Sequence, residues 1–369
     1  MKTFFSTLAL LTACSGLALA ETVTLWIGTG GKNADGIYRT ELDTEKGTLS
    51  EPTLAAEIGS PGFVTVSPDG KRLYSICNIE KGSVAAFSIG DDKSLTLINT
   101  QLIGDGGAAH LSLDKEGKLL FTAQYGGGST AVFPILEDGS IGERSDLEEH
   151  SGSGPNEARQ KGPHPHWAGV SPDNRFLFVP DLGADKVVIY KIDHETATIS
   201  PHGAGIAVPG GGPRHMKFNA KGDRIFLLNE LLMSVTVFAY DAEAGTMEPK
   251  QTISTLPEEL WEIPNKSAEI RVHPSGKFVY ASNRGHDSIA AFAVDERTGH
   301  LAFVEREAIR GSWPRNFNLD PSGKWMIVAG RYSNTLSVFR VDQESGGLLF
   351  HGKIVNVPSP ICVEWGQEP

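Results

Sequence analysis

Cysteine is scarce. The 369-residue chain carries three, Cys14, Cys77 and Cys362. Loss of a leader ending at Ala20 would leave two, which cannot make a disulfide framework. Cys77 and Cys362 are therefore expected as buried small hydrophobes. Long apolar runs are also missing. The strongest, Phe4 to Leu11, is too short to cross a bilayer as a helix. Basic charge is in deficit, with 33 Lys and Arg against 45 Asp and Glu and a net charge of −12. Nucleic-acid binders carry basic faces, so no nucleic-acid partner is expected. A local cluster of Arg and His in a pocket is not excluded. The chain has no GxSxG, which argues against a serine nucleophile on a strand-to-helix elbow. It has neither HExxH nor paired CxxC, so no zinc motif. The runs Gly126-Gly127-Gly128 and Gly210-Gly211-Gly212 lead into neither a helix nor GK[ST], and read as tight turns. Their N–H groups are still candidates for meeting an oxyanion. No cofactor and no metal are expected.

At the N-terminus, Lys2, the apolar run and Ala18-Leu19-Ala20 before Glu21 have the pattern of an export signal. An alternative reading takes Leu11-Thr12-Ala13-Cys14 as a lipoprotein signal with a lipid anchor on Cys14. Either way the expected location is periplasmic or extracellular, with residues 1–20 as signal and 21–369 as one domain.

What the chain has in abundance is Gly (42), Pro (21) and self-similarity. An alternating strand with a central aromatic recurs as GIYRTELD, SVAAFSIG, STAVFPIL, KVVIYKID, SVTVFAYD, SIAAFAVD and TLSVFRVD. Six of the seven copies follow a hairpin such as SPDGKRLY, DKEGKLLF or SPDNRFLF, with Gly or Asn between apolar runs. A tight turn and a further strand come after each. Four short strands per unit is the content of one propeller blade. The expected fold is all-β: a seven-bladed β-propeller of four-stranded antiparallel blades. The missing hairpin is explained if Pro360 to Trp365 supplies the inner strand of the blade begun by Val23 to Gly28. That pairing would hide two strand edges. An open solenoid is the structural alternative.

Strand alternation sends the generic SPDG-type turns to one end of the ring. The loops between second and third strands, and those between blades, go to the other. These loops collect His110, His164, His166, Arg214, His215, Glu230, Arg284, His286 and Arg315. Each taken singly has a structural explanation, as a backbone tie or a blade junction. Together, on loops held by a rigid scaffold, they mark a working surface. Arg suits an oxyanion or a carboxylate, and Glu or His can move a proton. The set fits hydrolysis of a cyclic ester or a proton-transfer lactonisation.

Several segments resemble the seven-bladed propeller lactonase family, which includes the propeller-type 6-phosphogluconolactonases and the carboxy-muconate lactonizing enzymes. They are QYGGGSTAVFP at Gln124 to Pro134, GSGPNEARQKGPHPH at Gly152 to His166, and PGGGPRHMKF at Pro209 to Phe218. NEL at Asn229 to Leu231, AEI at Ala268 to Ile270 and SNRGHDSIAAF up to Phe292 complete the set. The resemblance runs from about Leu25 to Trp365. It implies a hydrolase that opens a sugar lactone, acting on an anionic or polyhydroxy lactone as its small-molecule partner. The implied catalytic residues are Glu230, Arg214, Arg284 and His166, with Glu230 expected as the proton-transfer group, Arg214 and Arg284 on the carbonyl oxygen or an acidic substituent, and His166 as the alternative base. Substrate-binding roles are expected for His164, Gln124, Tyr125, Arg159, His215, His286 and His110. Gln124 stands where the family usually has Asn, and Leu232-Met233 after NEL bring apolar bulk beside Glu230. Two other readings stay open: a non-catalytic propeller that binds a ligand or protein, and a lactonizing cycloisomerase.

Overall fold

The computed structural model describes residues 22–366, apart from 32–34, 80–81, 207 and 262–263. The leader and Cys14 lie outside the described residues. Seven antiparallel sheets make up the fold, six of them built from strands consecutive in the chain. In the second blade these are Val64–Val66, Arg72–Cys77, Ser83–Ile89 and Leu95–Leu102, inner to outer. The third to seventh blades repeat this order, starting at His110, Gly169, Pro213, Lys266 and Pro314. No helix among the described residues is long and apolar enough to cross a membrane.

The first blade closes the ring. Pro360–Trp365 pairs with Thr22–Thr29, placing Val363 opposite Ile27 and Cys362 opposite Gly28. Its outer strand is broken into Thr48–Leu49 and Thr53–Glu57, which both pair with Gly36–Asp43. Pro52, which has no N–H to donate, sits in the break.

The repeated hairpins have the backbone their sequence asks for. Gly70, Gly117, Gly222, Gly276 and Gly323 all have φ near +70°, and Asn174 holds the same place at 64°. Asn tolerates this left-handed region better than other side-chain-bearing residues. The recurring aromatic marks something the spacing does not reveal. In six blades the pairing of third and fourth strands shifts register at it or beside it, as at Ala86/Phe87 and Val237/Phe238. A bulge there adds local twist. Apolar clusters fill the wedges between neighbouring blades and run right around the ring. Cys77 and Cys362 are buried free thiols within one of them.

Candidate active site

Three consecutive inner strands are bulged where they enter the blade. Pairing passes from Pro213 to His215, omitting Arg214, and from Pro314 to Asn316, omitting Arg315. In the sixth blade it passes from Ser267 to Ile270, omitting Ala268 and Glu269. A bulge takes a side chain out of strict alternation and re-aims it. In this way Arg214 and Arg315 both come to line one cavity at the varied end of the axis.

Glu230 follows the second strand of the fifth blade. Its N–H donates to Gly212 O (2.8 Å), and its carbonyl accepts from Ser267 N (3.1 Å). The carboxylate is held by three guanidinium groups. Arg214 Nε and Arg284 Nη2 each lie 2.9 Å from Oε2, and Arg159 Nη2 lies 3.1 Å from Oε1. Burial alone would raise the carboxyl pKa. The charges of Arg284 and Arg214, with smaller contributions from His166 and Arg159, reverse this and hold it far below the usual carboxylate range. The guanidinium groups are themselves tied down. Arg214 Nη1 donates to Ala268 O, Arg284 Nη2 to Ser267 O (2.7 Å), and Arg159 Nη2 to Tyr125 Oη (3.0 Å). Burial and the nearby Arg284 bring the Arg214 pKa down to about 10.

Beside this cluster stand three buried imidazoles. The rings of His166 and His215 are 5.3 Å apart, and those of His215 and His110 5.6 Å. All three pKa values are pushed well below the usual histidine range, first by burial. The next contribution is the charge of Arg214 for His166 and His215, and of His215 for His110. They are neutral at pH 7. His215 Nδ1 faces Glu269 Oε1 at 3.2 Å, and His110 Nδ1 accepts from Ala168 N at 3.4 Å. His166 Nδ1 has no hydrogen-bond partner among the described residues.

The cavity has two lobes. The first, about 350 Å³, is lined by Tyr125, Arg159, His166, Glu230, Lys266, Arg284 and Arg315. The second, about 310 Å³, is lined by Phe63, Asn78, His166, Arg214, His215, Arg315 and Arg331, with Gly30, Gly31 and Gly62. His166 and Arg315 belong to both lobes. Among the described residues, six cationic side chains thus face a single carboxylate.

Seven of the expected site residues line these lobes: Tyr125, Arg159, His166, Arg214, His215, Glu230 and Arg284. His110 lies against Phe63 and His215, one step down the axis. The other three line neither lobe. Gln124 is fully buried in its blade, hydrogen-bonded to Thr122 Oγ1 (2.5 Å). His164 stacks on Tyr125 (centroids 4.6 Å) and bonds Tyr125 O through Nδ1 (2.8 Å), so it touches the cavity only through that residue. His286 is exposed, its Nδ1 on Ser288 Oγ (2.9 Å). The glycine run at 210–212 offers nothing to an oxyanion at its two flanks. Gly210 N and Gly212 N donate to Asp185 (2.6 and 3.0 Å), which also accepts from Gln160 Nε2 (2.7 Å).

Arg331, Lys266 and Asp185 were not in the residue set drawn from the sequence, and Arg315, collected there at this end of the ring, was given no catalytic or binding role. Arg315 had a readable signal, since Pro314-Arg315 repeats Pro213-Arg214 at the same place in the unit.

A family model described as "Lactonase, 7-bladed beta-propeller" matches residues 24–365. The chain is 39% identical to a 6-phosphogluconolactonase of Bacillus subtilis, over 92% of this chain and 97% of that one. A 6-phosphogluconolactonase of Formosa agariphila is 34% identical over 79% of this chain and 84% of that one. The solved structure of a periplasmic gluconolactonase from Pseudomonas aeruginosa superposes with a TM-score of 0.87 at 30% identity. That match covers 95% of this chain and all of that one. With its ring of seven blades and its arginine-lined cavity, the chain belongs to the seven-bladed β-propeller lactonase family.

Proposed function

We propose that this protein hydrolyses a sugar lactone in the two-lobed cavity, with His166 as the proton-transfer group and Glu230 as the anchor of the arginines. The observation that carries the reading is the contrast between these two residues. Glu230 spends both carboxylate oxygens on guanidinium groups, which depress its basicity. A base that weak is inefficient near pH 7. His166 is neutral, faces both lobes, and has a ring nitrogen without a protein partner.

In this scheme the lactone carbonyl oxygen sits against Arg284 and Arg315. Water gives a proton to His166 and its oxygen attacks the carbonyl carbon. The resulting oxyanion is stabilised by guanidinium donors already in place, with no reorganisation required. The ring C–O bond then breaks, the leaving oxygen takes the proton back from His166, and the hydroxy acid so formed loses its carboxyl proton to solvent to become a hydroxy-carboxylate. Both the intermediate and the product are anions, matching the excess of cations.

The gathering of these residues in one cavity removes the main reason to favour a purely binding module. The leader pattern at residues 1–20, with residues 21–369 as the mature domain, supports export. The periplasmic relative is in keeping with it. Outside the cytoplasm, a lactone without a phosphate, such as an aldonolactone or uronolactone, is the fitting substrate.

The test is acid release at constant pH from a panel of sugar lactones. We expect His166→Gln to lower kcat by about 10²- to 10⁴-fold, the range for loss of a general acid–base group. Glu230→Gln should raise KM and lower kcat together, because it frees three arginines at once. If His166→Gln retains full turnover while Glu230→Gln loses it with KM unchanged, Glu230 is the base and the assignment is reversed.

A further inference from the structure

In the proposed hydrolysis His166 moves the proton, while its neighbour His215 and the carboxylate behind that ring have no task. The carboxylate is Glu269, fully buried on the inner strand of the sixth blade. It lies in the bulge that drops Ala268 and Glu269 from the ladder, and a bulge re-aims a side chain. Glu269 reaches across the blade junction, and its Oε1 stands 3.2 Å from His215 Nδ1. Donors from two further strands fix it there. Oε1 also accepts from Ile270 N (3.0 Å), and Oε2 accepts from Asn316 Nδ2 with Arg271 Nη2 at 3.6 Å. Asn316 is locked in turn, because its Oδ1 accepts from Val363 N (2.9 Å) on the strand that closes the ring.

A carboxylate only accepts hydrogen bonds, so this contact puts the proton of neutral His215 on Nδ1 and leaves Nε2 bare. Nε2 is buried and has no partner among the described residues. The same is true of His166 Nδ1, on a ring whose centroid is 5.3 Å from that of His215. Leaving two buried polar atoms unpaired is unfavourable. One bond satisfies both: His166 Nδ1–H donating to His215 Nε2, directly after a slight ring rotation or through one water. His166 then keeps Nε2 bare, as a base requires, on a ring that lines both lobes.

We propose that Glu269 is a positioning residue for the hydrolysis, acting through His215 on His166. It fixes the tautomer of His215, His215 fixes that of His166, and the carboxylate offsets the positive charge that His166 gains from water's proton. That charge is otherwise opposed. Arg214 and Arg315 face both rings, Lys217 and Arg271 face His215, and Glu230, which favours charge on His166, is shared among three guanidinium groups. No proton leaves the pair of rings. The bond between them tightens as His166 becomes charged and relaxes when the proton passes to the leaving oxygen. The assignment rests on the lactonase reading, with His166 as the proton-transfer group.

The experiment measures kcat and KM against pH, with gluconolactone as substrate, for wild type, Glu269→Gln, Glu269→Asp, His215→Gln and the Glu269→Gln/His215→Gln double variant. Melting temperatures are taken alongside. Glu269→Gln keeps an acceptor oxygen but loses the charge. It should lower kcat by about 10- to 100-fold, the scale on which a carboxylate that orients a working imidazole is felt, with KM nearly unchanged. The acid limb of its kcat profile should move to lower pH, because an imidazole without its anionic partner holds a proton less tightly. Glu269→Asp should restore part of both. His215→Gln should lose a similar factor, and the double variant little more than either single one, since residues acting as a unit are not additive. An unmoved acid limb, or losses that multiply in the double variant, would overturn the proposal. Imidazole nitrogen NMR of the wild type without substrate keeps it testable where a variant fails to fold. His166 and His215 should both carry the proton on Nδ1, and the Nε2–H form of either ring would sink it. The same spectra separate this from failure of the lactonase reading. A wild type with both Nδ1–H tautomers, and a His166 titration that moves down in Glu269→Gln, but no activity on any lactone, would sustain the coupling and remove the reaction.

Discussion

His110, His166 and His215 are three imidazoles kept neutral, with His215 within about 6 Å of each of the other two and Arg214 against His166 and His215. Their folded-state pKa values lie below the unfolded value, so the unfolded chain takes up more protons as the pH falls. Stability from these groups is therefore complete above about pH 6.5 and lost below it. Between pH 7.5 and 6 the loss should approach about 2 kcal/mol in sum, if all three stay neutral when folded. Glu364, pushed up to about 6 by burial, works in the opposite sense, but chiefly below this window. We expect the melting temperature to fall on acidification from pH 7.5 to 6, and His166→Gln to remove about a third of that dependence. A melting temperature constant across the window would show that these histidines titrate in the folded protein as they do in the unfolded chain. At this scale the sequence was a partial guide. It named the residue types and the end of the ring, because strand alternation decides both. It could not say that Gln124 turns into its own blade or that His286 faces solvent. Those outcomes depend on side-chain direction within a strand and at a loop tip.

Strands and turns were more legible than their irregularities. Aromatic spacing located every third strand, and Gly or Asn located each left-handed hairpin residue. The bulges that aim Arg214 and Arg315 leave only a faint trace, the Pro-Arg pair, because a bulge is a property of two paired strands. The same holds for Asp185, which lies in a generic-looking turn of the fourth blade. Its carboxylate accepts from Gly210 N and Gly212 N, and Gly212 O in turn accepts from Glu230 N. Asp185 is thus a positioning residue acting through the glycine loop. Asp185→Ala would leave those two N–H groups without their acceptor, and Gln160 Nε2 with only Leu182 O. The expected cost is about 1–3 kcal/mol, the range for an orphaned buried polar group. Turnover should fall while the pH profile keeps its shape, because no proton-transfer group is touched. Asp185→Asn, which preserves one acceptor oxygen, should recover part of both losses. A variant equally active and equally stable would show that the loop holds itself.

At the scale of the whole molecule, the ring is closed by six residues at the far end of the chain, and this determines how it comes apart. Pro360–Trp365 supplies the innermost strand of the first blade, and Gly366 N donates to Thr24 O at 2.8 Å. Removing residues 358–369 would strip Thr22–Thr29 of its inner partner and expose a hydrogen-bonding edge. It would also open the apolar wedges containing Cys362, Val363 and Trp365. Because each blade leans on both neighbours, the damage should not stay local, and we expect a large fall in melting temperature or an insoluble product. Insolubility alone would not identify the cause, so the matching test moves the seam without cutting it. The Gly366–Thr24 bond brings the two ends together. A short linker between them, with new termini opened at the Lys221-Gly222 turn of the fifth blade, keeps all seven sheets intact. Such a permutant should melt within a few degrees of the parent. In it, the strand Pro213–Phe218 becomes the closing strand, and deleting that segment should now have the severe effect. A permutant that fails to fold, together with a truncated parent that melts normally, would place the weight of the ring elsewhere than at this seam.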